Sequence, residues 1–389
     1  MSQLLESRWS ETKEALLEGL QGNKRSVMAT TLENTRKYLA ESATAGATSA
    51  GNVATLNRVI LPVIRRVMPT VIANELVGVQ PMTGPVGQIH TLRVRYSDTV
   101  SRTTGGSTTA GEEALSPFKI AEGYSGVTPG KAAATAALEG VAGNKLSIQI
   151  LKQTVEAKTR KLSARWTFEA AQDAQAQQGI DIEAEIMAAL AQEITAEIDQ
   201  EVLRSLASLS STVLTYDQAA VSGTATFVGD EHAALAVQIN RAANLIAQRT
   251  RRGAGNWAVV SPTTLTLLQS ATTSAFARTT EGTFEAPTNT KFVGTLNSAM
   301  KVYVNTYAEN DNVLVGYKGG SESDAAAFYC PYIPLMSSGV VLDPATFEPV
   351  VSFMTRYGYV ELTNTASSLG NAADYLATVA VTSANLRFA

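Results

Sequence analysis

The pattern of apolar and polar residues predicts a long hairpin in the first half of the chain. Residues 89–96 alternate apolar and polar side chains, as do residues 146–150 and 162–167, and this period of two is typical of half-buried strands. Between them, residues 98–144 contain few large apolar side chains and many glycines. A long segment without a core is unusual inside a compact domain. We therefore expect a hairpin whose tip has no core of its own and lies on another molecule.

A single long helix follows the predicted hairpin. Apolar residues recur there at spacings of three and four, which is typical of a helix with one buried face. They are Ile182, Ile186, Leu190, Ile194, Ile198, Val202, Leu206 and Leu209. At 1.5 Å per residue this helix is expected to be about 40 to 45 Å long, longer than a small domain needs. Glu193, Glu197 and Glu201 are spaced four apart, which favours a solvated face over acid–base chemistry.

Residues 225–340 alternate helices and strands, which predicts a compact α+β unit inserted in the chain. A helix is expected over residues 230–253, and Ser261 followed by Pro262 is a typical start for another. Strands are expected at residues 257–260, 300–304 and 313–315.

Residues 1–51 are predicted to form an arm rather than a domain. Leucines and Trp9 within residues 4–20 fit one side of a short helix, and residues 32–39 fit a second. Residues 41–51 are typical of a flexible, nearly uncharged linker. Two short helices cannot bury enough surface to be stable alone, so we expect the arm to order on a neighbouring molecule.

Two short stretches combine proline with large apolar residues and almost no charge. They are residues 80–85, called here the early stretch, and residues 328–335, called the late stretch. This composition is unfavourable in an exposed turn and indicates buried or contacted connections. We expect the two stretches to be two ends of one tertiary unit. Residues 351–359 alternate like a strand, and we expect that strand to pair with the early one near Leu92.

Composition and charge exclude several classes of protein. The formal net charge of the 389 residues is -4, without the basic excess that tight binding along DNA requires, although weak contact stays open. No apolar run reaches the length of a membrane span, and the start lacks the order of a signal peptide. We therefore predict no membrane partner and a chain made and kept in a cytoplasm.

The residues with catalytic potential are few. Cys330 is the only cysteine, and we expect it to be a small buried hydrophobe. His90 and His232 lack partners at metal-ligand spacing and lie in no nucleophile motif, although a triad assembled in space stays open. Residues 253–258 match a dinucleotide-binding pattern, but they follow a helix and open a strand, which is the wrong order. No catalytic, cofactor-binding or metal residue is predicted, and no cofactor.

One basic cluster stands out, formed by Arg249, Arg251 and Arg252. Two interpretations stay open for it. It is either a solvated helix end that interacts favourably with the helix dipole, or a contact at an assembly interface.

The early and late stretches belong to a longer series of matches to one family. The series also includes residues 62–67, 301–304, 315–319, 343–349 and 355–358. Together, in order over roughly residues 52 to 362, they resemble the major capsid protein of T-even-like contractile-tailed bacteriophages. The resemblance implies the α+β tailed-phage capsid fold of the Hong Kong ninety-seven type. That fold has an N-terminal arm, an extended β-hairpin loop, a peripheral domain with a long spine helix, and an inserted axial domain.

On this basis the chain is divided into six predicted segments. They are the arm at 1–51, the first part of the peripheral domain at 52–96, the extended loop at 97–165, the second part of the peripheral domain with the spine helix at 166–224, the axial domain at 225–340, and the peripheral return strand with the C-terminal tail at 341–389.

The function that the resemblance implies is structural. The chain is expected to self-assemble into hexameric capsomers of an icosahedral head shell around double-stranded DNA, in the virion, after assembly in the host bacterial cytoplasm. Whether it also forms pentamers stays open. Implied partners are further copies of itself, scaffold and portal proteins, and vertex or decoration proteins, with only weak non-specific contact to packaged DNA. The alternatives are a tail sheath or tube protein, an encapsulin-type shell and, more remotely, a hydrolase.

Overall fold

The structure of the protein is a computed structural model. It describes residues 9, 13–14, 17, 22–44, 72–100, 107–112, 114, 124–125, 134–140, 142–178, 182–210, 213–221, 228–250, 252–271, 276–278, 291–297, 299–321, 324–346, 348–362 and 372–382. The match at residues 62–67, most of the first predicted arm helix and much of the predicted hairpin tip lie outside these residues.

The described residues form helices and strands in the following order. The helices are α1 (Gly22–Thr44), α2 (Ala73–Leu76), α3 (Thr135–Leu138), α4 (Phe168–Gln178), α5 (Ile182–Leu209), α6 (Gln218–Val221), α7 (Val228–Thr250) and α8 (Pro262–Ser270), with a 3₁₀ turn at Ala372–Tyr375. The strands are β1 (Gly78–Val79), β2 (Val86–Tyr96), β3 (Leu146–Glu156), β4 (Lys158–Arg165), β5 (Val213–Tyr216), β6 (Trp257–Val260), β7 (Phe276–Arg278), β8 (Lys291–Leu296), β9 (Met300–Val304), β10 (Val313–Gly316), β11 (Ala327–Ser337), β12 (Val341–Leu342), β13 (Pro349–Glu361) and β14 (Leu376–Val381). The predicted α+β class is confirmed.

Five strands form a first sheet, called here the peripheral sheet. Its order is β1-β11-β13-β12, and β4 also pairs with β13. The expected pairing of residues 351–359 with the strand near Leu92 is therefore wrong. That early strand, β2, pairs with β3 in an antiparallel ribbon that runs from Val86 opposite Glu156 to Tyr96 opposite Leu146. Alternation shows which faces of a strand differ in burial, but it does not identify the neighbouring strand.

Seven strands form a second sheet, called the axial sheet, in the order β5-β14-β10-β6-β9-β8-β7. The strands predicted within residues 257–260, 300–304 and 313–315 are confirmed as β6, β9 and β10. The predicted helix start at Ser261 is also confirmed, because the backbone N–H of Thr264 donates to the Ser261 hydroxyl at 3.1 Å. The preceding helix, α7, ends at Thr250, three residues before the predicted stop at Gly253.

The two sheets do not follow the predicted segment boundaries. Strands β5 and β14 belong to the axial sheet although they lie outside residues 225–340, whereas β11 lies within that range and belongs to the peripheral sheet. The chain therefore enters each sheet more than once. The division of the chain into domains stays a prediction.

Helix α5, called the spine helix, has the predicted bounds Ile182–Leu209. Its buried side chains share one core cluster with residues of both sheets, including Tyr303 in the axial sheet and Phe353 in the peripheral sheet. A second cluster joins the axial sheet to α7, around residues such as Leu235 and Ile239. The spine helix therefore connects the two sheets through a continuous apolar core.

Helix α1, called the arm helix, packs on its own chain. Val27, Met28 and Leu32 lie in the same core cluster as the spine helix, and α1 contacts β11. The second predicted arm helix is thus confirmed, and it extends to Thr44, into the expected linker at residues 41–51. The expectation that the arm orders on a neighbouring molecule is wrong for this helix, because the apolar residues of the sheet and spine provide its partner within the same chain.

Candidate functional site

The exposed face of the β2–β3 ribbon is the most prominent uncovered apolar surface in the described residues. Leu146, Ile148 and Ile150 remain 55%, 68% and 66% exposed. All three stand on one face of β3, because side chains alternate along a strand. The ribbon register places Val94 opposite Ile148 and Tyr96 opposite Leu146 on the neighbouring strand. An apolar strip of this kind typically marks a contact with another molecule.

The described part of the hairpin tip is more ordered than the sequence predicts. The Tyr124 hydroxyl donates to the backbone carbonyl of Lys145 at 2.6 Å, and its ring lies 4.5 Å from that of Tyr96. The backbone N–H of Lys145 in turn donates to an Asp98 carboxylate oxygen at 2.7 Å. Tyr124 and Ala114 are buried. The expectation of a tip without any core is therefore wrong for these residues, which form a small cluster at the far end of the ribbon.

The early and late stretches lie side by side, as predicted for two ends of one unit. Strand β1 pairs in parallel with β11 just before the early stretch. The pairing continues into it, because the backbone N–H groups of Gln80 and Met82 donate to the carbonyls of Tyr329 and Pro331, both at 3.0 Å. The expected burial is confirmed for Met82 and for most of the late stretch. Because Pro85 directly precedes β2, this junction is the root of the ribbon.

An ion-pair cluster joins the next strand to the spine helix. The guanidinium of Arg160 in β4 donates to Glu197 and Glu201, both at 2.5 Å, and to the Tyr357 hydroxyl at 2.6 Å. Burial opposes the ionisation of Glu201, but hydrogen bonds from Arg160 and Tyr357 outweigh that effect and lower its pKa. The predicted solvated face is confirmed, because Glu197 and Glu201 remain exposed. Helical spacing did not reveal that Arg160 in β4, 37 and 41 residues away, pairs with both of them.

Asp199 lies on the buried face of the spine helix. One carboxylate oxygen accepts a hydrogen bond from the backbone N–H of Ile72 at 2.9 Å, at the start of α2. The other oxygen is buried without a hydrogen-bond partner. Burial raises the pKa of Asp199 to about 7, and the hydrogen bond from Ile72 only partly opposes this rise. Asp199 thus couples the spine helix to the segment that leads into β1. The only signal for this contact in the sequence was an aspartate among the apolar positions of the helix.

A polar contact also links the spine helix to the axial sheet. The side-chain amides of Gln200 and Asn305 bond reciprocally, at 2.8 and 3.2 Å. One turn further along, Arg204 pairs with Glu309. These contacts fix the spine helix against the loop after β9.

Among the described residues, the surroundings of His232 do not form a catalytic arrangement. His232 places Nδ1 2.5 Å from the Ser270 hydroxyl, which also donates to the Leu267 carbonyl, while its Nε2 is buried without a partner. Burial lowers the pKa of His232 despite the nearby carboxylate of Glu231. The hydroxyl thus lies in a buried contact with no carboxylate bonded to the imidazole. This geometry disfavours the hydrolase alternative at His232.

Cys330 is confirmed as a buried hydrophobe. It is 2% exposed, and burial raises the pKa of its thiol to about 12. The thiol is therefore neutral and unreactive at neutral pH. Within the described part of the chain, no three His, Cys, Asp or Glu side chains are grouped as metal ligands.

The basic cluster is only partly described. Arg252 pairs with Asp324 at 2.8 Å and lies near Tyr375 and Tyr317. Arg249 also has a partner, and Arg251 lies outside the described residues. The solvated-end interpretation is therefore incomplete for Arg252, which pairs the segment after α7 with the connection between β10 and β11.

No helix among the described residues has the length and hydropathy that a membrane span requires.

Comparison with known proteins finds relatives among phage major capsid proteins. A sequence model of the family described as "Major capsid protein Gp23" matches residues 53–381. The major capsid protein of Vibrio phage KVP40 is 29% identical, over 85% of this chain and 82% of its own length. The major capsid protein of Enterobacteria phage T4 is 30% identical, over 82% of this chain and 78% of its own length.

Similar solved structures also come from phages. One from Microbacterium phage Oxtober96 has a TM-score of 0.47 at 11% identity and covers 79% of this chain and 90% of its own. The capsid of Myoviridae phage XM1 has a TM-score of 0.43 at 10% identity and covers 79% of this chain and 91% of its own.

The family match and the phage relatives define a class of structural proteins, the major capsid proteins of phages. On the match over residues 53–381, the chain belongs to the family of Gp23 major capsid proteins. The resemblance stated from the sequence alone is therefore confirmed.

Proposed function

We propose that the chain is the subunit of an icosahedral phage head shell and self-assembles into hexameric capsomers around double-stranded DNA. Family membership supports the shell. The observation that carries the proposal is the apolar strip on the ribbon, formed by Leu146, Ile148 and Ile150, which nothing in the described residues of the same chain covers. A second copy of the chain is the partner that fits such a strip in a protein that forms a repeating shell.

Assembly then rests on many modest contacts. Burying one aliphatic side chain of the strip contributes about 1.5 to 3 kcal/mol, while association itself costs several kcal/mol. A single ribbon contact is therefore weak, whereas closure of a ring gives each subunit two such contacts, one as donor and one as acceptor. The proposed shell forms cooperatively for this reason.

The remaining partners follow from the same proposal. Scaffold and portal proteins act during assembly in the host bacterial cytoplasm, and vertex or decoration proteins bind the finished shell. The net charge of -4 favours only weak, non-specific contact with the enclosed DNA. The non-enzymatic role fits the buried state of His232 and Cys330.

The ribbon contact is tested by placing a charge on each of its two faces. We expect Ile148→Asp to prevent formation of shells, because a carboxylate would be buried against the neighbouring copy. Gln149→Asp is the matched control, since Gln149 is exposed and points to the opposite face of the same strand. Negative-stain electron microscopy and sedimentation of both variants provide the measurement. Normal shells from Ile148→Asp would contradict the proposal.

A further inference from the structure

The arm helix reaches the root of the ribbon through one buried side chain. The Asn34 amide donates to the backbone carbonyl of Met82 at 2.7 Å and to that of Tyr332 at 3.0 Å. Asn34 is 6% exposed. One amide therefore bridges the early stretch and the late stretch, which are about 250 residues apart in the chain.

The two prolines of the late stretch reduce the number of backbone donors near these carbonyls. Pro331 and Pro334 carry no N–H, so the late stretch offers fewer donors than acceptors at the point where it lies beside the early stretch. A buried carbonyl without a donor destabilises the fold by about the free energy of a lost hydrogen bond. Both N–H groups of the Asn34 amide are used to satisfy two such carbonyls.

Met82 also packs into the base of the ribbon. It forms a small core cluster with Val155 of β3 and with Phe328 and Cys330 of β11. Next to it, the carbonyl of Pro85 accepts a hydrogen bond from the backbone N–H of Ala157 at 2.8 Å. A contact that fixes Met82 therefore fixes both strands of the ribbon where they leave the peripheral sheet.

The arm helix has the apolar anchor that such a contact requires. Met28 and Leu32, six and two residues before Asn34, are buried in the core shared with the spine helix. Thr31 and Thr35 beside Asn34 are also buried, and their hydroxyls bond within the helix, to Met28 and Thr31. The helix thus presents Asn34 from a rigid, buried face. It lies outside residues 53–381, the part that matches the family.

We propose that the arm helix is an intramolecular brace, in which Asn34 fixes the ribbon root against the peripheral sheet and so sets the direction in which the ribbon leaves the subunit. The contact itself is independent of any shell. Its consequence for assembly rests on the proposed function, because a ribbon held in one direction reaches its neighbour at a lower entropic cost than a free one.

The test measures the direction of the ribbon by spin labelling. Labels are placed at Gln149→Cys on the ribbon and Ala207→Cys on the spine helix, both at exposed positions. Cys330 is buried and unreactive, so the spin label attaches to the two introduced cysteines and not to Cys330. Electron–electron double resonance then gives the distance distribution in the full chain. Dilution of the labelled chain with unlabelled chain removes distances between copies, so the readout does not depend on whether shells form.

Two variants remove the brace in different ways. Asn34→Ala removes the amide, and Asn34→Asp keeps its size but lacks both donors, so it avoids a cavity. In both, we expect a broadened or shifted label distance and about tenfold faster hydrogen exchange at the Met82 backbone amide. Thr30→Ala is the control, because Thr30 is only half-buried on the same helix and its hydroxyl donates to the Ser26 carbonyl within that helix. It should leave both readouts unchanged.

Amides of strand β9 in the axial sheet report the integrity of the fold in the same experiment. The brace is supported when exchange rises at Met82 and stays unchanged in β9. An unchanged label distance together with unchanged exchange at Met82 in Asn34→Asp would overturn it. An equal rise in β9 would overturn it as well, since Asn34 would then stabilise the whole subunit rather than the root of the ribbon.

Discussion

At the scale of single residues, three buried or half-buried polar side chains join segments that are far apart in sequence. Asn34 bonds to the early and late stretches, Asp199 to the start of α2, and Arg160 to the spine helix. Each satisfies backbone or charged groups that packing alone would leave unpaired. None belongs to a motif, because its partners lie on other elements. Sequence patterns predicted the burial around these residues but not the contacts.

Asp199 makes the stability of the subunit depend on pH. Its pKa is raised to about 7 in the fold, from 3.8 as the ordinary value, so the folded chain holds this proton more tightly than the unfolded chain. The unfolding free energy therefore falls as the pH rises from about 4 to 7, by about 4 kcal/mol, and the loss is complete above pH 7.

Asn at this position resembles the protonated carboxyl and can still accept the Ile72 hydrogen bond. We expect Asp199→Asn to match the wild type near pH 4 and to be more stable at pH 8, measured by urea unfolding of unassembled subunits. Asp173→Asn, at an exposed position of α4, should show no such difference. Equal pH profiles for Asp199→Asn and the wild type would refute this role.

At the scale of elements, long and strongly periodic segments are predicted most accurately. The spine helix has the bounds that its apolar spacing indicates. The periodic apolar residues determine both its buried face and its length, and they lie within the helix itself. Strand partners are not local, so β13 pairs with β4 and β11 rather than with β2. The arm helix was expected on a neighbour for the same reason, since its apolar face does not show which surface covers it.

The passage of the ribbon over β13 depends on one glycine. A Cβ atom at Gly358 would lie 2.4 Å from the Val155 side chain and 3.2 Å from the Glu156 carbonyl. We expect Gly358→Ala to lower the unfolding free energy by about 1 to 3 kcal/mol, as overpacking typically does. Thermal or urea unfolding measures this loss.

A compensating change identifies the contact behind that loss. Val155→Ala removes the clashing methyl groups, so the double variant should recover part of the stability lost in Gly358→Ala. Gly320→Ala is the control, because a Cβ there meets no atom within 4 Å. Equal losses from Gly358→Ala and Gly320→Ala would show that the ribbon does not pack closely on this strand.

At the scale of the whole molecule, a continuous core joins the spine helix to both sheets, while the ribbon carries its apolar strip away from that core. The core gives one rigid subunit, and the strip gives it a surface that requires a partner. Composition and charge predicted this division in outline, through a low content of charged residues and a hairpin poor in large side chains. Alternation already placed Leu146, Ile148 and Ile150 on one face of a strand, but only the β2–β3 register showed that Val94 and Tyr96 lie opposite Ile148 and Leu146.

The central claim is that the subunit builds a closed shell in which each ribbon lies on a neighbouring copy. Cryo-electron microscopy of the assembled protein tests it most directly. We predict closed polyhedral shells of hexameric capsomers, with Leu146, Ile148 and Ile150 buried against the adjacent subunit. Open tubes, isolated monomers, or a shell in which these three side chains remain exposed would contradict the account.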